Sequence, residues 1–147
     1  MLTQTAQYAL RTVLRLAAGD EDRCTVEQLA RELGVPRNYL SKTLHLLARS
    51  GVVDSTRGKH GGFRLRRRAD RITLREVVAP FEEVGRRVCL LGKPTCSDRT
   101  ACPAHAHWKS VSDSVARFFD RTTVAELLEE PARIPLRPPV TTTRSSV

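Results

Sequence analysis

The sequence predicts a mostly α fold: a winged helix-turn-helix domain with a β-hairpin wing, followed by a long C-terminal dimerisation helix. Three observations predict it. Two amphipathic segments meet at a short turn on Gly34, a basic glycine-rich hairpin follows at once, and apolar residues recur at helical spacing over residues 104–120. They divide the chain into a winged domain (1–85), a cysteine-bearing loop (86–103), a dimerisation helix with a short helix behind it (104–130), and a tail (131–147).

The elements follow in order. Over residues 3–18, Ala6, Ala9, Leu10, Val13, Leu14 and Ala17 fall on one helical stripe, and Gly19 stops it. Thr25 begins a second helix with Gln28 three residues on, the spacing of a capping box, and Val26, Leu29, Ala30 and Leu33 form its inner face. Gly34 ends it. A third helix starts at Pro36, which a first turn accepts because its amide needs no partner there; Leu40, Leu44 and Leu47 point inward and Gly51 terminates it. Val52 and Val53 open a strand, and Phe63 and Leu65 alternate with Arg64 and Arg66 on the return. Thr73 starts a further helix carrying Leu74, Val77, Val78 and Phe81, with Pro80 in its last turn and a break at Val84 and Gly85. Ala104, Trp108, Val111, Val115 and Phe118 then step by four, three, four and three residues, a heptad-like seam about 25 Å long. Such a seam needs a cover, and a second copy of the chain is the expected one. Thr122 or Thr123 caps a last short helix, and the tail, with four of the eight prolines and no acid, is expected to be disordered.

Composition limits the function classes. The chain has 147 residues, is 40% apolar with seven aromatics, and carries a formal charge of +9. Between residues 36 and 71, ten Lys or Arg face only Asp54 and Asp70, so +8 of that charge is local. A polyanion is the natural partner, because neutralising phosphates releases condensed counterions. Glycines at 51, 58, 61 and 62 break the periodicity that a membrane-surface helix would need, which favours double-stranded DNA over a membrane. No basic-then-apolar leader and no spanning run is present, so the expectation is a cytoplasmic protein. No phosphate-cradling glycine loop, zinc-deaminase motif or hydrolase elbow occurs, which points away from an enzyme.

Arg37, Asn38, Ser41, Lys42 and His45 lie along the side of the third helix opposite its leucines, placed to read base edges and flanking phosphates in a major groove. The hairpin loop adds Arg57 and Lys59, and the return strand adds Arg64, as contacts to the sugar-phosphate backbone.

Behind the basic domain stand Cys89, Cys96, Cys102 and His105, set among Gly92, Pro94 and Ser97. Six residues separate the first two cysteines and five the next two; His105 lies three beyond Cys102. In a reducing compartment, clustered thiols suit metal or redox chemistry better than a structural disulfide. The wide spacing and the Cys102-Pro103 step suit an iron–sulfur centre; zinc and unligated redox thiols stay open. His107 is an equal donor by composition, and only the spacing to Cys102 prefers His105. Cys24, just before a capped helix, reads as a small buried residue.

Gly51, Arg57, Gly58, Gly61, Gly62, Phe63, Ile72, Thr73, Leu74 and Val77, with Leu2, Thr3, Tyr8, Ala9 and Leu10 at the start, resemble the Rrf2 family of bacterial transcription regulators over roughly residues 1–130. The resemblance implies a dimeric winged-helix regulator. It also implies that Cys89, Cys96 and Cys102 hold an iron–sulfur cluster of the 2Fe-2S or 4Fe-4S type, and His105, followed by Ala106 and Trp108, looks like the fourth ligand of the IscR branch. That branch has five residues between its first two cysteines where this chain has six. Gln7 stands where the NsrR branch can draw a carboxylate ligand, while the face from Arg37 to His45 looks closer to NsrR. The function implied is a repressor sensing redox state, nitric oxide or iron–sulfur supply. A zinc- or thiol-based regulator is the alternative, and a small electron carrier or enzyme the alternative of another class.

Overall fold

A computed structural model describes residues 2–19, 23–86 and 88–129. It is a helical domain with one small antiparallel hairpin, in the order α1 (Gln4–Ala17), α2 (Val26–Leu33), α3 (Arg37–Arg49), β1 (Val53–Thr56), β2 (Gly62–Leu65), α4 (Leu74–Val78), α5 (His105–Arg121) and α6 (Val124–Glu129). Short 3-10 turns at Ala69–Arg71 and Asp98–Thr100 complete it. The tail, including its proposed disorder, lies outside the described residues.

Local chemistry explains the helix starts. The Thr3 hydroxyl accepts from the Ala6 amide at α1. Thr25 with Gln28 and Thr73 with Glu76 form complete capping boxes at α2 and α4, each satisfying two amides that a helix start would leave unpaired. Gly34 closes α2 in the left-handed region at φ 64°, where a side chain would be strained, and so allows the sharp turn into α3.

The core is made by α1, α2 and α3 closing over the base of the hairpin and α4. Ala9, Val13, Leu29, Leu40, Leu44 and Leu47 are fully buried, joined by Val52, Ile72, Val77 and Val78. In the hairpin, Val53 pairs with Leu65, Asp54 with Arg64, Ser55 with Phe63 and Thr56 with Gly62. A third backbone segment flanks β2: the Cys24 amide donates to the Phe63 carbonyl at 2.9 Å and the Phe63 amide to the Cys24 carbonyl at 2.8 Å. Cys24 is half-buried in this pairing.

α4 is shorter than its apolar pattern predicts. It ends at Val78, because Pro80 has no amide with which to continue the ladder, and Phe81 and Glu82 instead donate back to the Val78 carbonyl in a turn. The far end of α5 is tied to the winged domain: the Leu74 amide donates to the Thr122 carbonyl and the Val124 amide to the Ile72 carbonyl, each at 2.9 Å. Phe119 and Val124 accordingly join the main core. One face of α5 thus belongs to its own domain, while Val111, Val115 and Phe118 are 52%, 41% and 50% exposed. Among the described residues, no helix is long and apolar enough to cross a membrane.

Candidate DNA interface and cysteine loop

α3 buries Leu40, Thr43, Leu44 and Leu47, and this fixes which way its other side faces. Arg37, Asn38, Lys42 and His45 are exposed and Ser41 is half-buried, so the five residues singled out from sequence share the outward side. Arg37 Nε donates to Glu27 Oε1 at 2.6 Å, linking the two helices of the motif across the Gly34 turn. The Glu27 carboxyl sits below its usual range, first through its own amide at the helix start and then through Arg37. Asn38 Oδ1 accepts from the Tyr39 amide at 3.0 Å. Sequence reasoning missed Tyr39, which is 58% exposed beside this face. The signal was available in the helical step, since Tyr39 falls out of phase with Leu40, Leu44 and Leu47.

The wing places Arg57 and Lys59 on an exposed tip. Its turn needs glycine at position 61: an added Cβ would meet the Thr56 carbonyl oxygen at 2.3 Å. Arg64 differs from the tip residues. Its guanidinium lies 3.8 Å from Asp54, its cross-strand partner, and Asp54 also accepts from Arg23 at 3.0 Å. Part of the remaining arginine run serves the fold at the hairpin base, where Arg67 binds Glu76 at 2.7 Å and the Arg71 carbonyl at 2.9 Å, and Arg68 binds Asp70 at 2.9 Å.

In the loop, the four candidate ligands fall into two pairs. Cys89 and Cys102 are both buried with their sulfurs 3.9 Å apart. Cys96 Sγ lies 3.4 Å from His105 Nδ1, and His105, first residue of α5, is only 6% exposed. His107 is exposed, so structure as well as spacing prefers His105. The ring is oriented from behind: its Nε2 lies 2.9 Å from Asp98 Oδ1, and Lys109 Nζ donates to both Asp98 oxygens at 3.1 Å. A carboxylate on Nε2 favours the proton there and leaves the Nδ1 lone pair facing Cys96. His105 and then Lys109 hold the Asp98 carboxyl below its usual range. Backbone amides of Lys93 and Leu91, aided by the Cys102 thiol, hold the Cys89 thiol low.

Each pair can supply two corners of a tetrahedral metal, whose edge is about 3.8 Å for metal–sulfur bonds of about 2.3 Å. Among the described residues, no group of three or more His, Cys, Asp or Glu is arranged about a single ion. The Trp108 indole N–H donates to the Val88 carbonyl at 2.7 Å, pinning the chain beside Cys89 to α5.

A second clasp connects this unit to the winged domain. Arg75 of α4 donates to Asp120 at 2.6 Å, to the Ala116 carbonyl at 3.4 Å and to the Val84 carbonyl. Next to Val84, Gly85 at φ 77° passes so close to α5 that a Cβ would lie 2.7 Å from that of Ala116.

A family profile described as Rrf2, iron-dependent transcriptional regulator, matches residues 2–130. The protein named rrf2 of Nitratidesulfovibrio vulgaris is 29% identical over 136 residues, covering 91% of this chain and 91% of the relative. The HTH-type transcriptional regulator IscR of Escherichia coli is 29% identical over 128 residues, covering 86% of this chain and 79% of the relative. Among solved structures, CymR, the global cysteine regulator of B. subtilis, superposes with a TM-score of 0.72 at 24% identity, covering 87% of this chain and 95% of that one. At that identity the likeness speaks for the winged-helix fold.

Proposed function

The chain belongs to the Rrf2 family of transcriptional regulators, and from that premise we propose that it is a cytoplasmic, homodimeric repressor whose operator affinity follows the state of an iron–sulfur cluster held by Cys89, Cys96, Cys102 and His105. As a member of that family it is a DNA-binding regulator and not an enzyme. The observation that carries the sensing reading is the pairing in the loop. Two pairs of soft donors, each about one tetrahedral edge wide, give the loop a thiolate-rich set of the kind that holds iron–sulfur clusters, and the matching family profile is described as iron-dependent. When bound, such a cluster supplies a centre that reacts with oxidants and nitric oxide.

The chain's own residues do the rest. Arg37, Asn38, Ser41, Lys42 and His45 read base edges and nearby phosphates; Arg57 and Lys59 hold the backbone, with Arg64 behind them braced on Asp54. Val111, Val115 and Phe118 cover one another across a twofold axis, so α5 sets the spacing between two copies of α3. His105 begins that same helix, and Arg75 fastens the loop's entry to α4. A change in how the four ligands are held therefore acts on the element that sets half-site spacing. A coupling of about 1 to 3 kcal/mol corresponds to a 5- to 150-fold change in affinity.

The test is purification without oxygen, with iron and acid-labile sulfide assays and a visible spectrum. The reading requires coloured protein containing both elements, and loss of both from Cys96→Ser. A second reading, a thiol-based regulator without a cluster, draws on the 3.9 Å approach of Cys89 to Cys102; colourless protein free of sulfide would favour it.

A further inference from the structure

We propose that in the metal-free protein Cys89 and Cys102 close into a reversible disulfide while Cys96 remains a thiol beside His105. The proposal deepens the reading of this loop as the sensing element and rests on it, but it does not need the cluster to exist. The two sulfurs already lie 3.9 Å apart, and a disulfide needs them at about 2.05 Å. Less than 2 Å of approach separates the present arrangement from the bond. Cys96 is placed otherwise: its sulfur faces an imidazole nitrogen that Asp98 orients from behind. Cys24 is held in the backbone pairing with Phe63.

The loop is built to tolerate the closure. The chain beside Cys89 is held to α5 by the Trp108 indole, and the Cys102 carbonyl accepts from the His105 amide at 2.9 Å, so both ends of the new link are anchored on the same helix start. The segment between them, residues 90–101, is largely exposed and carries Gly92 and Pro94, so it can adjust without disturbing the core.

The oxidant is a peroxide. One thiol attacks the peroxide oxygen and becomes a sulfenic acid, breaking the O–O bond and releasing one water. The second thiol then displaces a second water from that sulfur as the S–S bond forms. Two thiols and one hydrogen peroxide give one disulfide and two waters. The disulfide removes two of the four cluster donors, so it also blocks reloading until a dithiol reductant restores them.

The test uses full-length protein made metal-free with a chelator under anaerobic conditions, treated with hydrogen peroxide, then denatured and alkylated with iodoacetamide before any reductant, so that the buried thiols of Cys89 and Cys102 can also be labelled. Alkylation should fall from four labels to two per chain, retained on Cys24 and Cys96, and dithiothreitol should restore four. Combined cleavage after Leu91 and Arg99 separates the three loop cysteines, so the linked peptides are identified directly in the parent protein. Cys96→Ser should still lose two labels; Cys102→Ser should lose none to an intramolecular bond. A link that contains Cys96, or Cys89 and Cys102 both alkylated after peroxide, overturns the proposal. Absence of a cluster would leave this result untouched, and a cluster-bearing protein that gives no Cys89–Cys102 link would sink this proposal alone.

Discussion

Lys59 and Asn38 are both exposed polar residues of the winged domain, and the proposed function gives them different roles. In the proposed complex Lys59 on the wing tip would meet phosphates, which are the same at every base step, and Asn38 on α3 would meet base edges, which are not. Lys59→Ala should weaken binding equally across operator variants and lower the slope of log affinity against log salt by about one, in titrations at several ionic strengths. Asn38→Ala should cost about 1 to 3 kcal/mol on the preferred sequence and relax discrimination at one base position. A base-specific effect of Lys59→Ala would contradict the division of roles. Residue types and helical phase made the outward face of α3 legible in the sequence, since both depend on near neighbours. The fate of the basic run after the wing was not legible. Arg64, Arg67 and Arg68 look alike along the chain, yet Asp54, Glu76 and Asp70 draw them into the fold, and the first two partners come near only once the hairpin and α4 are in place. Cys96 and His105 were singled out together by spacing, but that they touch directly was not legible. A turn without periodicity brings together residues nine apart.

At the scale of elements, one face of α5 packs on its own domain, and the other is the face that the proposed dimer would cover. On the inner side, Arg75 of α4 lowers the proton affinity of Asp120, so the carboxylate is favoured in the folded state. A depressed folded pKa gives a contribution that is fully present above the ordinary carboxylate range and is lost as pH falls through the lowered value. Asp120→Asn should therefore flatten the acid side of the melting temperature plotted against pH and leave the dependence above pH 6 unchanged; an unaltered acid limb would show that this clasp contributes nothing. On the outer side, Phe118→Glu should turn a dimer into a monomer in sedimentation equilibrium while the helical circular dichroism persists, because Phe118 is half-exposed and outside the core. The exposed apolar stripe of Val111, Val115 and Phe118 was legible from its four-and-three stepping. Sequence alone did not show that the other face of α5, through Phe119 and the bridge between Thr73 and Thr123, is built into the winged domain. Strand-like backbone pairing of that length leaves no pattern in side chains. The short α4 was readable only in part: the apolar spacing runs on past Pro80, but the missing amide decides where the helix stops.

For the whole molecule, one helix, α5, begins at the cysteine loop and is tied at its far end to the basic winged domain. The proposed recognition residues face outward from α3 and the wing, the two donor pairs lie at and before the start of α5, and the exposed stripe along α5 would position one winged domain against another in the proposed dimer. If the loop and the seam act as one unit, breaking the dimer should remove the cluster's influence on DNA. Phe118→Glu should then bind a single half-site weakly and with equal affinity whether or not iron and sulfide are present. Binding that still responds to the cluster in the monomer would place the coupling inside one subunit instead.

The most direct measurement is the operator affinity of one anaerobic preparation, divided into cluster-loaded and chelator-stripped halves and titrated at a single fixed salt concentration. A 5- to 150-fold difference between the halves, reversed on reloading with iron and sulfide, is the outcome the account expects. Equal affinities in the two halves, with the stripped protein still dimeric and folded, would contradict it.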